Sequence, residues 1–146
     1  MPKKPTRKAK RPPKRSRRLS RQKHEFTRGL YGWITHTDLA SRDPAATKAW
    51  CATVLGWAFQ NPFSTPGGEI HLFAYSEKGG GAVRPVSPPE APGSIPYIHV
   101  PDATAAFRKA VEAGAEEMMT PTRVMDGVTV AIVRAPGGVP IGLSGP

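Results

Sequence analysis

A repeated helix signal constrains this chain more than any other feature of its sequence. Asp43 and Asp102 each lie directly before a run of residues that favours a helix, and the two aspartates are 59 positions apart. Aspartate is a preferred residue at a helix N-cap. Gly56 and Gly114 follow the two runs, and glycine is the usual residue just after a helix. We therefore predict two helices, at about 44–55 and 103–113.

Alternation of apolar and polar residues predicts one strand before each predicted helix and three after it. The preceding segments are "YGWITHTDLA" and "SIPYIHVPD". Neither half can cover its own apolar face, so the two must pack together. The repeat predicts an α+β fold of two tandem βαβββ modules. The following strand candidates are Ala58–Gln60, Glu69–Ser76 and Ala82–Val86 in the first half, and Glu116–Met119, Val124 and its neighbours, and Val128–Arg134 with Val139–Leu143 in the second.

Charge separates the start of the chain from the rest. Residues 1–30 hold 13 of the 21 lysines and arginines and a single acidic residue, a formal charge of +12, whereas the other 116 residues hold 8 basic and 10 acidic groups, a formal −2. Dense like charge with several prolines cannot bury enough apolar surface to offset the entropy of ordering. We therefore expect a disordered tail over residues 1–28 and one domain over residues 29–146. Within the domain we expect module one at about 31–86, a linker at 87–94 and module two at about 95–146.

The basic tail supports a function separate from that of the domain. Flexible cations neutralise nucleic-acid phosphates and release counterions without reading base sequence. The alternatives are a tail that only solubilises the protein or targets it, for example to a nucleus. The residues predicted to bind nucleic acid are Lys3, Lys4, Arg7, Lys8, Lys10, Arg11, Lys14, Arg15, Arg17, Arg18, Arg21 and Lys23.

Composition excludes several other classes. No segment approaches the ~20 apolar residues of a membrane span, and the N-terminus lacks the apolar core of a secretory signal. Cys51 is the only cysteine, which excludes an intramolecular disulfide framework. No basic residue adjoins Cys51 in sequence to activate it as a nucleophile. We expect a cytoplasmic protein, associated with the nucleoid or nucleus if the tail binds nucleic acid.

Three segments together are similar to a known family. "THTDLASRDPAATKAWCATVLGWAF", "SIPYIHVPDATAAFRKAVEAGAE" and "APGGVPIGL" resemble the glyoxalase-like branch of the vicinal oxygen chelate superfamily, which includes glyoxalase, bleomycin-resistance and extradiol dioxygenase proteins. The resemblance covers about residues 31–146. It implies a curved mixed sheet around a pocket that binds a small organic molecule, often in a homodimer.

The resemblance also implies where a divalent metal would bind. Family enzymes hold it with His or Gln on the first strand of a module and Glu on the last. The corresponding first-strand residues are His36 and Ile95, and the last-strand residues are Arg84 or Pro85 and Gly142. Only His36 can ligate a metal. The resemblance therefore implies a degenerate site, in either a sequestering protein or an atypical enzyme related to lyases or dioxygenases.

His36 and Asp38 are the predicted catalytic pair, because they share one face of a strand. A carboxylate that fixes the tautomer of an imidazole is the arrangement needed for a general base. The repeat places Tyr97 opposite Asp38, with His99 two residues further along. The alternatives are partly buried polar residues with satisfied hydrogen bonds, or a noncanonical metal site of His36, His99 and a carboxylate such as Asp38 or Glu69.

Further aromatic residues are predicted to line the same pocket. His71, Phe73 and Tyr75 alternate onto one face of a strand, and Trp33 is a further candidate because its ring could stack on a bound aromatic or sugar. The alternative is that these aromatic residues simply fill a core. The predicted pocket residues are Tyr97, His99, His71, Phe73, Tyr75 and Trp33.

Overall fold

The computed structural model describes residues 30–146, and this part of the chain contains nine strands and two helices. The predictions for the basic tail fall on residues 1–28, which lie outside the described residues. The elements are β1 Ile34–Ser41, α1 Pro44–Leu55, β2 Ala58–Phe59, β3 Phe63–Thr65, β4 Gly68–Ala74, β5 Gly80–Pro85, β6 Gly93–His99, α2 Ala103–Glu112, β7 Glu116–Met125, β8 Val128–Ala135 and β9 Val139–Gly145.

The strands form one curved mixed sheet in the order β2-β4-β5-β1-β6-β9-β8-β7, with β3 paired to β4. The first four strands in this order belong to module one and the last four to module two. In each module the first strand pairs in parallel with the last, as β1 with β5 and β6 with β9. Antiparallel pairing of β1 with β6 joins the two modules at the centre. The predicted α+β fold of two βαβββ modules is confirmed.

Side-chain caps start both helices where the sequence predicts them. The Asp43 carboxylate accepts a hydrogen bond from the backbone N–H of Ala46 at 2.9 Å, and Asp102 accepts from Ala105 at the same distance. Each bond satisfies an N–H that the first turn leaves without a partner. Gly56 ends α1 in the left-handed conformation, at φ 67°.

Several strands differ from the prediction, most clearly β3, β7 and β6. Thr65 and Gly68 pair across a tight turn, which adds the short strand β3 to module one. In module two β7 is one strand of ten residues rather than two pieces, because register shifts against β8 interrupt its alternation without ending its pairing. The linker is shorter than 87–94, since β6 already begins at Gly93.

The helices cover one face of the sheet and leave the other open. Under α2 the buried cluster contains Phe107, Ala131, Val133 and Leu143. The opposite face of module two carries a second cluster of Ile95, Tyr97 and Ile132. Neither helix within residues 30–146 is long and apolar enough to cross a membrane.

Close packing across the β6–β9 pair depends on a glycine. Gly142 lies beside Tyr97, and a Cβ atom built on Gly142 would overlap the Tyr97 ring. We expect Gly142→Ala to lower the free energy of unfolding by about 1–3 kcal/mol, because a buried ring must shift to accept the methyl group. Urea denaturation measures this change. Gly93→Ala is the matched control, since its new Cβ would meet no atom within 4 Å; equal losses in both variants would contradict the packing argument.

Candidate functional site

A cavity of about 1580 Å³ lies on the open face of the sheet and extends over both modules. Its floor includes Ile95 and Ile132, and its walls include Phe63 from β3 and Met119 from β7. Ligand pockets commonly measure about 300–1,000 Å³, so the space is ample for a small organic molecule. Polar side chains converge at the centre of the sheet, where β1 lies between β5 and β6.

The centre of this polar cluster is the carboxylate of Asp38, a residue that is only 8% exposed. Its Oδ1 lies 2.8 Å from His36 Nε2. Its Oδ2 accepts hydrogen bonds from Arg84 Nε at 2.8 Å and from the Tyr97 hydroxyl at 3.2 Å. Three adjacent strands therefore supply donors to one buried carboxylate.

Arg84 connects this carboxylate to the linker between the modules. Its Nη1 and Nη2 donate to the two carboxylate oxygens of Glu90, each at 2.8 Å. Nη1 also donates to the backbone oxygen of Pro85 at 3.1 Å. Glu90 in turn accepts from the backbone N–H of Ser87 at 2.9 Å. A continuous hydrogen-bonded chain thus runs from Glu90 through Arg84 and Asp38 to His36.

The charged groups in this series of hydrogen bonds stabilise one another's ionised forms. Burial opposes ionisation of Asp38, but hydrogen bonds and charge from His36 and then Arg84 outweigh it and hold the pKa of Asp38 below its ordinary value. The hydrogen bond from Arg84 likewise lowers the pKa of Glu90, and that from Glu90 raises the pKa of Arg84. At neutral pH the cluster therefore contains two carboxylates and one guanidinium.

Tyr97 stays a neutral phenol. Burial raises its pKa, and the negative charge of Asp38 raises it further, because an adjacent phenolate would be both desolvated and repelled. The hydroxyl can therefore donate to Asp38 across the physiological range.

The Asp38 carboxylate also sets the tautomer of His36. An ionised carboxylate can only accept hydrogen bonds, so Nε2 of His36 carries the proton that it shares with Asp38. In a neutral imidazole the other nitrogen, Nδ1, is then an acceptor. The His36 side chain is 36% exposed and lines the cavity. It can therefore accept a hydrogen bond, or a proton, from a bound molecule.

The structure brings together four of the side chains named from the sequence. His36, Asp38, Tyr97 and His99 all line the cavity, and the His99 ring stacks on Tyr31 with centroids 5.4 Å apart. The register differs from the predicted one, since Tyr97 pairs with His36 rather than with Asp38. The Tyr97 hydroxyl nevertheless reaches Asp38.

His71, Phe73 and Tyr75 do not line the cavity. Alternation along β4 directs Ile70 and Leu72 into the cavity, so these three residues belong to the opposite face. Phe73 packs in a buried aromatic group there, with its ring centroid 4.3 Å from that of Trp57. His71 is 5% exposed, and its Nδ1 has no partner.

Trp33 also lies outside the cavity lining, with 60% of its surface exposed just before β1 begins. The prediction that Trp33 lines the pocket is therefore wrong, as are those for His71, Phe73 and Tyr75.

The contribution of Arg84 and Glu90 is not predicted from the sequence. The sequence presents Arg84 only as a residue unable to replace a metal-ligating carboxylate, and Glu90 only as part of a linker. The available signal was the alternation of β5, which places Ala82 and Arg84 on the cavity face. An arginine on a buried face requires an acidic partner.

The described residues do not fit a divalent metal. His36 uses Nε2 to donate to Asp38, and the cationic Arg84 stands where the family resemblance expects a glutamate. Glu69, a proposed alternative ligand, lies on the opposite face of β4, where its Oε2 is 3.9 Å from His71 Nε2. No group of three or more His, Cys, Asp or Glu residues that could hold a metal ion occurs within residues 30–146.

The lowered pKa values predict how stability depends on pH. Because Asp38 and Glu90 are more acidic in the folded state, their contribution is present above their ordinary pKa values and is lost as pH falls through the folded ones. We expect the free energy of unfolding to decrease below about pH 4. Asp38→Asn should weaken this dependence and destabilise the protein at pH 7 by about 3 kcal/mol, since it leaves Arg84 incompletely paired.

Urea denaturation at a series of pH values tests this prediction. Asp126→Asn is the matched control, because it removes an aspartate from an exposed ion pair with Arg123. An Asp38→Asn variant that retained the pH profile of the unmodified protein would contradict the assignment of Asp38 as a buried, ionised centre.

Comparisons with known proteins agree with this architecture. Residues 33–143 match the model of the Glyoxalase/Bleomycin resistance protein/Dioxygenase superfamily. Two relatives, each named "Putative glyoxylase CFP32", from Mycobacterium tuberculosis and Mycobacterium bovis, are 29% identical over 128 residues. The match covers 84% of this chain and 48% of each relative, so the chain spans about half their length.

Solved structures show the same fold at low sequence identity. The hypothetical protein BH1468 from Bacillus halodurans superposes with a TM-score of 0.63 and 16% identity, covering 77% of this chain and 92% of that one. Methylmalonyl-CoA epimerase from Mycobacterium tuberculosis gives a TM-score of 0.60 and 19% identity, covering 77% and 86%. With the match over residues 33–143, these findings show that the chain belongs to the Glyoxalase/Bleomycin resistance protein/Dioxygenase superfamily.

Proposed function

We propose that the domain binds a small organic molecule in the cavity between its modules, without a metal, and that His36 is the polar group that the ligand contacts. The observation that carries this proposal is the buried Asp38 cluster, which orients His36 at the polar centre of a cavity lined largely by apolar side chains. Ile95, Ile132 and Val130 would contact the apolar part of the ligand. Binding sites generally combine an apolar lining with a few fixed polar groups in this way.

A structure with the same fold supports ligand binding by such a domain. Methylmalonyl-CoA epimerase from Streptomyces coelicolor, which shares the fold at 16% identity and a TM-score of 0.60, is described in complex with 2-nitronate-propionyl-CoA. The fold can therefore hold an organic ligand. At this level of identity the likeness supports the type of site and not the identity of the molecule.

The geometry supports either sequestration or proton transfer. A ligand with a hydrogen-bond donor beside His36 Nδ1 would simply be held. If that proton were acidic, His36 could remove it, and the ionised Asp38 would stabilise the imidazolium that results. An enzyme of this kind would be a metal-independent variant of the lyase-like members of the family. Binding comes first in both cases, so it is the property to test.

The proposal can be tested by adding small neutral aromatic alcohols to the full chain. Binding is measured from NMR chemical shifts of the isoleucine and valine methyl groups. We expect ligand-dependent shifts at Ile95, Ile132 and Val130 in the cavity, with Val133 under α2 unchanged. His36→Ala should weaken binding about tenfold by removing the hydrogen-bond acceptor. Tyr75→Ala, outside the cavity, should not. Shifts that are absent, or that persist unchanged in His36→Ala, would count against the proposed site.

A second candidate function is association with nucleic acid through residues 1–28. The formal charge of +12 over residues 1–30, beside a domain of −2, supports it. Such binding would be electrostatic and insensitive to base sequence. The tail has no aromatic residue before Phe26, so stacking on single-stranded bases receives no support.

Salt dependence tests this second candidate on the full chain. We expect the affinity for a random duplex DNA to fall steeply between about 50 and 200 mM salt, because bound lysines and arginines release counterions. Replacing the twelve named tail residues by glutamine should abolish that dependence and leave ligand binding in the cavity intact. A full-length protein that does not bind DNA even at the lower salt concentration would rule the candidate out.

A further inference from the structure

We infer that Glu90 determines which ligands the cavity accepts: by binding Arg84, it prevents the guanidinium from binding anions, so that the cavity takes uncharged hydrogen-bond donors and rejects carboxylates and phosphates. This inference rests on the proposed function, because it concerns the ligand of the same cavity. It assigns a specificity role to a linker residue that lines the cavity.

The hydrogen bonds of Arg84 show why it is a poor anion receptor. A guanidinium has five N–H donors. Hydrogen bonds within the protein engage four of the five: one with Asp38, one with Pro85 and two with Glu90, at 2.8–3.1 Å. The Arg84 side chain is also only 16% exposed. A ligand carboxylate would have to displace Glu90 to gain the bidentate pairing that arginine offers to anions.

The charge balance of the cluster points the same way. Asp38 and Glu90 are both ionised beside one guanidinium, so an anionic ligand would bring a third negative charge to a site with one cation. The other arginine that lines the cavity, Arg134, lies 3.4 Å from Glu116. His36 meanwhile presents Nδ1 as an acceptor. A hydroxyl or amide N–H of an uncharged ligand satisfies that acceptor, whereas a carboxylate cannot.

Glu90 is the member of the cluster that can be neutralised with least effect on the fold. It lies in the linker between β5 and β6, in a turn where its N–H donates to the Ser87 oxygen at 2.9 Å. It therefore takes no part in strand pairing. Glu90→Gln keeps the size of the side chain but replaces one of its two acceptor oxygens by a donor. One edge of the Arg84 guanidinium then becomes available to a ligand.

Two probes with the same apolar body test the inference: 4-phenylbutanol, which is neutral, and 4-phenylbutyrate, which is anionic. Affinities for the full chain come from titrations followed at the cavity methyl groups. We expect the unmodified protein to bind the alcohol at least about tenfold more tightly than the carboxylate. Glu90→Gln should shift this ratio toward the carboxylate by at least about tenfold, because the freed guanidinium can pair with it.

Two further variants separate the role of Arg84 from a general effect of charge. Glu117→Gln removes a carboxylate that also lines the cavity but belongs to β7, and it should leave the ratio unchanged. Adding Arg84→Gln to Glu90→Gln should remove the gained affinity for the carboxylate. Retention of backbone and methyl shifts remote from the cavity confirms that each variant is folded.

The outcomes distinguish this inference from the function on which it rests. If the alcohol binds in the cavity but the carboxylate binds equally well, or if Glu90→Gln and Glu117→Gln change the ratio alike, the role of Glu90 is overturned and the proposed function stands. If neither probe shifts a cavity methyl group in the unmodified protein, the proposed function and the inference are overturned together.

Discussion

The ionised carboxylate of Asp38, buried at the centre of the sheet, is the constraint on which the rest of the site depends. A buried charge is tolerated only when it is paired and hydrogen-bonded. Its three partners, His36, Arg84 and Tyr97, lie on β1, β5 and β6. The cluster therefore requires the parallel pair within module one and the antiparallel pair between the modules at once. Disturbing the first pairing would separate Asp38 from Arg84, and disturbing the second would remove the Tyr97 hydrogen bond, which links the stability of the fold to the integrity of the site.

The repeat has diverged so that the two modules make different contributions to one cavity. In module one, β5 carries Arg84 at its cavity face. By strand pairing the corresponding residue of β9 is Ser144, because Ala40 pairs with Arg84 as His99 pairs with Ser144. Two residues earlier β9 carries Gly142, and the absence of a side chain there lets the Tyr97 ring lie against the strand. Module one therefore supplies His36, Asp38 and Arg84 of the polar cluster, whereas module two supplies Tyr97 and the apolar floor around Ile95 and Ile132. Two similar folding units thus produce an asymmetric cavity, suited to a molecule with one polar end.

Local signals in the sequence predicted the architecture well but predicted the faces of the strands only in part. The helix caps at Asp43, Asp102 and Gly56 could be predicted directly, because a cap depends only on nearby backbone atoms. The predicted cavity face of β4 is wrong, since alternation shows that His71 and Phe73 share a face but not which face lies under α1. The ion pair of Arg84 and Glu90 could not be predicted for a different reason: it forms only because a turn in the linker brings Glu90 to Arg84, and no local pattern reveals that contact.

Arginine in place of a metal-ligating carboxylate changes what the inherited cavity can do. A metal in such a site would polarise a ligand oxygen, whereas Arg84 is held as a fixed cation between Asp38 and Glu90. An arginine left alone at this position would recruit anions, since its planar donors match carboxylates and phosphates. Glu90 prevents this while keeping the guanidinium charge in place to hold Asp38 ionised. The same ion pair therefore both excludes anions and preserves the tautomer of His36, which leaves hydrogen bonding and proton transfer as the chemistry open to the site.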